Sequence, residues 1–213
     1  MTLLIATGLL REARIMAGPG VTIIAGGGDG ERLEAALERA LAAKMPDLIL
    51  SSGLAGALDP ALIVGDVVLD SEPSLLAVLA RALPDARSGR ILGRDMPIAS
   101  ISHKSALHAA TNAMAVDMES HIAARVAARH HVPFAAIRVI SDSAGQALPP
   151  AALVGMRRDG GIAIGAVLRA LALNPGQLPA LLRTARDAGR GLSALARVHH
   201  ALRRAGIGVG DPG

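Results

Sequence analysis

The sequence predicts an α/β protein with a mixed, mostly parallel central sheet, flanking helices and a helical C-terminal extension. Short apolar runs alternate with helical patterns along the chain, which is typical of this class. The run 134–140 is almost continuously apolar, as in strands that are covered on both faces. The 213 residues include one Phe and no Tyr or Trp, so aliphatic side chains must form the core.

The remaining elements follow from the same patterns. Apolar runs predict strands at 2–6, 21–25 and 48–50, and a turn followed by a strand within 65–69. Short strands are predicted around Gly93, marked by Ile91, Leu92, Ile98 and Ile101. Helical spacing predicts a helix after Gly30, with Leu33, Leu37 and Leu41 on one face, and further helices over 74–83 and 116–131. The small-residue segment 51–57 is interpreted as a loop.

The last third of the chain is predicted to hold two or three helices, with breaks near 174–176 and 189–191. We divide the chain into a catalytic domain, 1–173, and a basic amphipathic tail, 174–213. Residues 157–213 carry nine arginines against three aspartates, which favours an acidic partner such as a membrane surface, nucleic acid or another subunit. The helical stripe within 175–205 fits a membrane surface and packing on the body equally well.

Several kinds of site are excluded. Without cysteine the chain has no disulfide, thiol nucleophile or Cys-ligated metal. Its histidine pairs are adjacent and form no chelating helical face, so we expect no metal. Glu31 stands where a dinucleotide fingerprint starting at Gly26 needs its last glycine, so we expect no such cofactor. The start of the chain has no basic segment before an apolar stretch, so we expect a cytoplasmic protein, with peripheral attachment to the inner membrane as the alternative.

Acidic residues follow predicted strands at three points. Glu12 follows the first strand, Asp142 lies just after the strand 134–140, and Asp117 and Glu119 open the helix to His131. Ligands of open α/β sheets bind outside the carboxyl ends of strands. Helix capping and dipole interactions are alternative explanations, and they suit Asp117 better than Glu119.

Four segments together resemble the superfamily of purine nucleoside phosphorylases and methylthioadenosine/S-adenosylhomocysteine nucleosidases. These are 52–58, 65–68, 115–120 and 137–142, and the likeness extends over residues 1 to about 170. Within the superfamily the chain is most similar to the hopanoid-associated phosphorylases, through segments 7–14, 116–120 and 175–183. The resemblance implies release of adenine from adenosylhopane by an enzyme without cofactor, assembled as a homodimer or larger.

The resemblance also implies roles for individual residues. Asp142 would be the acid that protonates N7 of the purine, a carboxylic acid still protonated near neutral pH, and Glu119 would hold the ribose hydroxyls. Glu12 would position or activate water. The residues implied to bind substrate around them are Ser52, Gly53, Leu54, Ala55, Met96, Asp117, Met118 and Ser141.

The nucleophile and the substrate stay open at this point. Phosphate ligands of the hexameric bacterial phosphorylases align with Ser51 and Leu54, so only Arg14, Lys104 or Arg138 could replace them, and either water or phosphate could attack. A nucleosidase for soluble 5′-substituted adenosines such as methylthioadenosine is the alternative enzyme. A purine nucleoside-binding module without turnover is the alternative of another class; a nucleic-acid binder is not expected, because aromatic side chains that stack on bases are missing.

Overall fold

The computed structural model describes residues 2–154, 160–161 and 163–207, and the chain forms one mixed sheet between two layers of helices. The strands are Leu3–Thr7 (β1), Val21–Ala25 (β2), Leu48–Ala57 (β3), Val67–Ser71 (β4), Arg87–Ser88 (β5), Ile91–Gly93 (β6), Ala115–Asp117 (β7) and Phe134–Asp142 (β8). The α-helices are Leu10–Met16 (α1), Gly30–Ala43 (α2), Pro73–Ala82 (α3), Ile101–Thr111 (α4), Ser120–Arg129 (α5), Pro150–Leu153 (α6), Ile164–Leu173 (α7) and Leu178–Arg204 (α8).

The sheet runs in the order β2-β1-β3-β8-β4-β5, with β7 paired to β3 and β6 to β7. Strands β2, β1, β3 and β8 are parallel, whereas β4 is antiparallel to β8 and β7 to β3. The carboxyl ends of β1, β3 and β8 therefore meet at one edge of the sheet. This arrangement confirms the predicted fold class.

Each face of the sheet is covered by its own aliphatic cluster. On one face, Met16 of α1, Leu79 of α3 and Leu195 of α8 pack against Ile137 and other strand residues. On the other face, Leu37 of α2 and Val126 of α5 pack against Ile49. Burial of both faces explains why the central strands are nearly continuously apolar.

Several sequence predictions of local structure were wrong. Residues 51–57 continue β3 instead of forming a loop. Ile98 lies outside the strands, and Ile101 begins helix α4 instead of marking a strand. Residues 115–117 form strand β7, so the following helix begins at Ser120 instead of Val116.

Helix α8 also runs without a break through 189–191. A Cβ on Gly191 would lie 2.8 Å from Leu54 Cδ2, so this glycine allows the helix to lie close against the sheet. Its residues Ala194, Leu195, Val198 and Leu202 are buried in the core, so this part of the predicted tail packs on the body of the fold. The division of the chain after residue 173 stays a prediction.

Candidate active site

A cavity of about 200 Å³ lies at the carboxyl ends of β1, β3 and β8. It brings together Glu12, Glu119 and Asp142, of which Glu12 lies more than a hundred residues from the other two in the sequence. The other residues that line it are Gly8, Leu9, Leu54, Ala55, Gly56, Met96, Pro97, Ile98, Val116, Asp117, Met118, Ser141 and Leu148. One apolar cavity therefore holds several carboxyl groups at the edge where an α/β sheet binds ligands.

Glu12 is held by the backbone around it. Its Oε2 accepts hydrogen bonds from the N–H groups of Gly8 (2.9 Å) and Leu9 (2.8 Å), and its Oε1 accepts one from Leu54 N–H (2.8 Å). Burial raises the pKa of Glu12, while these three hydrogen bonds and the charge of Arg138 act in the opposite direction. The carboxyl is thus fixed in orientation, between the end of β1 and the middle of β3.

A buried arginine lies beneath the second carboxyl group. The Arg138 guanidinium has no exposed surface, donates to Asp117 Oδ2 and Ser51 Oγ, and lies 3.8 Å from Glu119 Oε2. Burial raises the pKa of Glu119 to about 8, and the charges of Asp117 and Glu12 add to this effect, against the opposing charge of Arg138. Glu119 is therefore mostly a neutral carboxylic acid at pH 7, able to donate as well as accept a hydrogen bond.

Asp117 lines the cavity, and its carboxylate is bound by neighbouring residues. Its side chain is completely covered, and its oxygens accept hydrogen bonds from Arg138, from Ser120 N–H (2.9 Å) and from Ser120 Oγ (2.5 Å). It holds the first turn of α5 and the arginine together. These bonds suit a positioning role, and the predicted contact of Asp117 with substrate stays a prediction.

Asp142 ends β8 and has hydrogen-bond donors on both oxygens. Ser141 Oγ donates to Oδ1 (2.9 Å), and Lys104 Nζ donates to Oδ2 (2.5 Å). Both bonds fix the orientation of the Asp142 carboxyl group. Its role as the acid that protonates the purine stays a prediction.

The structure separates the other predicted substrate-binding residues into two groups. Leu54, Ala55, Met96, Met118 and Ser141 line the cavity, whereas Ser52 and Gly53 do not.

Ser52 lies on the same face of β3 as Leu54 but two residues deeper in the sheet, with its hydroxyl 3.8 Å from Met16 Sδ. Gly53 instead lies against the carboxyl group of Glu12, since a Cβ at this position would lie 2.8 Å from Glu12 Oε2.

The cations proposed as phosphate ligands are engaged or distant. The side chains of Arg138 and Lys104 are fully buried and paired with carboxylates, and exposed Arg14 does not line the cavity. Among the residues that the structure describes, no lysine or arginine lines the cavity. The same part of the chain contains no cluster of three or more residues suited to a metal ion.

Known proteins match this chain in sequence and in structure. Residues 70–171 match the Phosphorylase superfamily. This segment contains Glu119 and Asp142 but not Glu12. The 5′-methylthioadenosine/S-adenosylhomocysteine nucleosidase of Staphylococcus aureus strain MRSA252 is 29% identical, over 46% of this chain and 58% of the relative. The chain thus spans 58% of the length of the curated relatives it matches.

Solved structures share the fold over more of the chain. A futalosine hydrolase mutant of Helicobacter pylori has a TM-score of 0.62 at 17% identity, covering 69% of this chain and 90% of that one. The S-adenosylhomocysteine nucleosidase of Streptococcus pyogenes, in complex with 5-methylthiotubericidin, has a TM-score of 0.63 at 15% identity, covering 91% and 96%. The fold is therefore that of the nucleosidases.

Proposed function

We propose that the protein hydrolyses the N-glycosidic bond of an adenine nucleoside. The observation that carries the proposal is the meeting of Glu12, Glu119 and Asp142 around one cavity on a nucleosidase fold. The similarity to a methylthioadenosine/S-adenosylhomocysteine nucleosidase supports it.

The chemistry assigns one task to each carboxyl group. When the bond between C1′ and N9 breaks, its electron pair goes to the purine and positive charge builds on the ribose. A proton delivered through Asp142 to N7 neutralises the departing base. Glu119 binds the ribose hydroxyls, and Glu12 orients water and takes its proton as the oxygen joins C1′. Oriented carboxyl groups in an apolar cavity also stabilise the positive charge on the sugar.

Water is proposed over phosphate because of where the cations lie. A phosphate dianion in an apolar cavity needs paired cations or several donors. Lys104 and Arg138 are already bound to Asp142 and Asp117. The N–H groups of three cavity residues, Gly8, Leu9 and Leu54, are bound to Glu12. The Glu12 carboxylate would also repel an anionic nucleophile.

For the substrate we propose a lipid-linked adenosine, adenosylhopane, which the resemblance to hopanoid-associated phosphorylases suggests. Methylthioadenosine is the second candidate, favoured by the nucleosidase relatives. Leu9 and Leu54 give the cavity wall an apolar surface that suits either 5′ substituent.

The test is incubation of the protein with adenosylhopane and with methylthioadenosine, each with and without phosphate. We expect free adenine and a free sugar at rates that phosphate does not change. A sugar 1-phosphate would overturn hydrolysis, and binding without adenine release would favour a binding module. Asp142→Asn should bind nucleoside but release adenine at least about 100-fold more slowly.

We further propose that α7 lies against an anionic membrane surface. Eight of its ten residues are apolar and none is buried, with Ile164 66%, Leu168 61% and Leu173 80% exposed. Arg169 on the same helix and Arg183 and Arg186 on α8 add positive charge. No helix in the described residues is long and apolar enough to cross a membrane, so this would be surface attachment.

Because α8 contributes to the core, substitutions in α7 test membrane attachment better than removal of the tail does. Leu168→Ser with Leu173→Ser should weaken sedimentation with phosphatidylglycerol vesicles and leave cleavage of methylthioadenosine unchanged. Equal sedimentation of the variant would overturn membrane docking through α7. A homodimer or larger assembly stays a prediction from the resemblance, which sedimentation velocity without vesicles tests.

A further inference from the structure

Lys104 is a buried charged group to which the proposed mechanism gives no task. Its side chain, in the first turns of α4, has no exposed surface at all. A lysine ammonium without water contact costs free energy unless it is paired and hydrogen-bonded. If Lys104 served the fold alone, an apolar residue could replace it. The hydrogen-bond partners of its ammonium group therefore indicate whether it has a further role.

All three ammonium protons have acceptors. Lys104 Nζ donates to Asp142 Oδ2 (2.5 Å), to the carbonyl oxygen of Ser143 (2.9 Å) and to that of Gln146 (3.0 Å). Two acceptors are neutral, and the third is the carboxylate that faces the cavity. The ammonium is thus connected to the cavity through Asp142 alone.

Of the groups around Asp142, Lys104 is the one placed to supply a proton to its carboxylate. From β8, the hydroxyl of Ser141 donates to the other carboxylate oxygen. The remaining titratable side chains of the cavity are Glu12, Asp117 and Glu119, for which no described bond to Asp142 exists. Among the described residues, Lys104 is the one cation within ion-pair distance of Asp142.

We propose that Lys104 is the positioning residue that supplies the proton through Asp142, so that the Lys104–Asp142 pair acts as the acid of glycosidic cleavage. This inference rests on the proposed function. As the electron pair of the C1′–N9 bond moves to the purine, a proton passes from Lys104 Nζ to Asp142, and the carboxyl proton passes to N7. Lys104 becomes a neutral amine still donating to the two carbonyl oxygens, and Asp142 is again a carboxylate. The proton that Glu12 takes from water returns through solvent as the products leave.

The experiment compares Lys104→Met with Lys44→Met, the same substitution at an exposed lysine. At pH 7, Lys104→Met should lower kcat for adenine release by at least about 100-fold, the usual share of general acid catalysis, with KM changed less than about threefold. Its rate should rise as the pH falls, because solvent then protonates Asp142 directly. Lys44→Met should behave as the wild-type protein.

A double variant separates this role from a structural one, and it is expected to fold even if Lys104→Met does not, because it leaves no unpaired buried charge. Lys104→Met in an Asp142→Asn background should cost no further activity, since both substitutions interrupt one proton path. Multiplying losses, or a pH profile for Lys104→Met parallel to that of the wild-type protein, would overturn the inference. Wild-type protein that releases no adenine would instead overturn the proposed function.

Discussion

Replacement of Glu119 by Gln should make the protein more stable at alkaline pH. The pKa of the Glu119 carboxyl is about 8 in the folded protein against 4.5 for a free glutamate, mainly because the group is buried. Between these pH values the folded chain holds a proton that the unfolded chain has lost. Stability from this group is therefore full below pH 4.5 and is lost as the pH rises through 8.

The size of the effect follows from the same two values. Each tenfold difference in proton affinity corresponds to about 1.4 kcal/mol, so ionising Glu119 costs at most about 5 kcal/mol near pH 9. Glutamine keeps the size of the neutral acid and removes this cost. The free energies of unfolding of the two proteins should agree near pH 5 and diverge above it. Since about 1 kcal/mol shifts the Tm of a chain this size by about 2–4 °C, we expect Glu119→Gln to melt at least about 5 °C higher at pH 9.

Melting is best followed by far-ultraviolet circular dichroism, because the chain has no Trp or Tyr for fluorescence. The matched control is Glu34→Gln, at a half-buried surface glutamate whose pKa is lowered by hydrogen bonds from Arg129 and Arg125. The stability that Glu34 contributes is lost only in acid and is constant from pH 5 to 9. The Glu34→Gln curve should therefore lie below that of the wild-type protein but run parallel to it over this range. If the Glu119→Gln curve is parallel as well, Glu119 is ionised in the folded protein at pH 7 and the reasoning fails.

Two further substitutions test how the first carboxyl group is held. Glu12→Gln should lower the rate of adenine release by about 100-fold or more, because an amide cannot take a proton from water. The amide also has only one oxygen to accept from the N–H groups of Gly8, Leu9 and Leu54. An unchanged kcat would remove Glu12 from the mechanism. Gly53→Ala should lower both Tm and activity, since its Cβ would lie 2.8 Å from Glu12 Oε2. Gly189→Ala, at an exposed position of α8, should instead raise stability by about 0.5–1 kcal/mol. Equal Tm changes in the two variants would contradict this packing argument.

The layered fold was predictable because aliphatic runs of strand length report burial on both faces. The predictions were wrong where contacts with residues distant in the sequence override the local conformational preference of the chain. The glycines of β3 suggested a loop, yet a Cβ at Gly53 would meet the Glu12 carboxyl, and one at Gly56 would lie 3.0 Å from Asp142 Oδ2. These small residues belong to a central strand because carboxyl groups occupy the space that side chains would need.

The three carboxyl groups could be named from the sequence because each follows a strand, and strand ends meet at one edge of a parallel sheet. The pKa shifts and ion pairs of these carboxyl groups could not be predicted, because the neighbouring residues that determine them come from other elements. The raised pKa lies on Glu119 and Glu12, and Asp142 is paired with Lys104, which the sequence offered only as a phosphate ligand. Its spacing from buried Leu107, three residues on, was the available signal that it lies on the inner side of α4.

Because α8 lies close against the sheet, it supports the wall of the candidate active site. Gly191 lies against Leu54, a residue of the cavity wall, while Thr184 and Ala188 line a smaller neighbouring space of about 180 Å³ that shares Ser141 and Asp142. Proteolysis or a premature stop within this helix would thus remove residues that pack behind the cavity wall, together with part of the core. Loss of turnover in such shortened proteins would report a missing wall, even though every acidic side chain of the centre is still encoded.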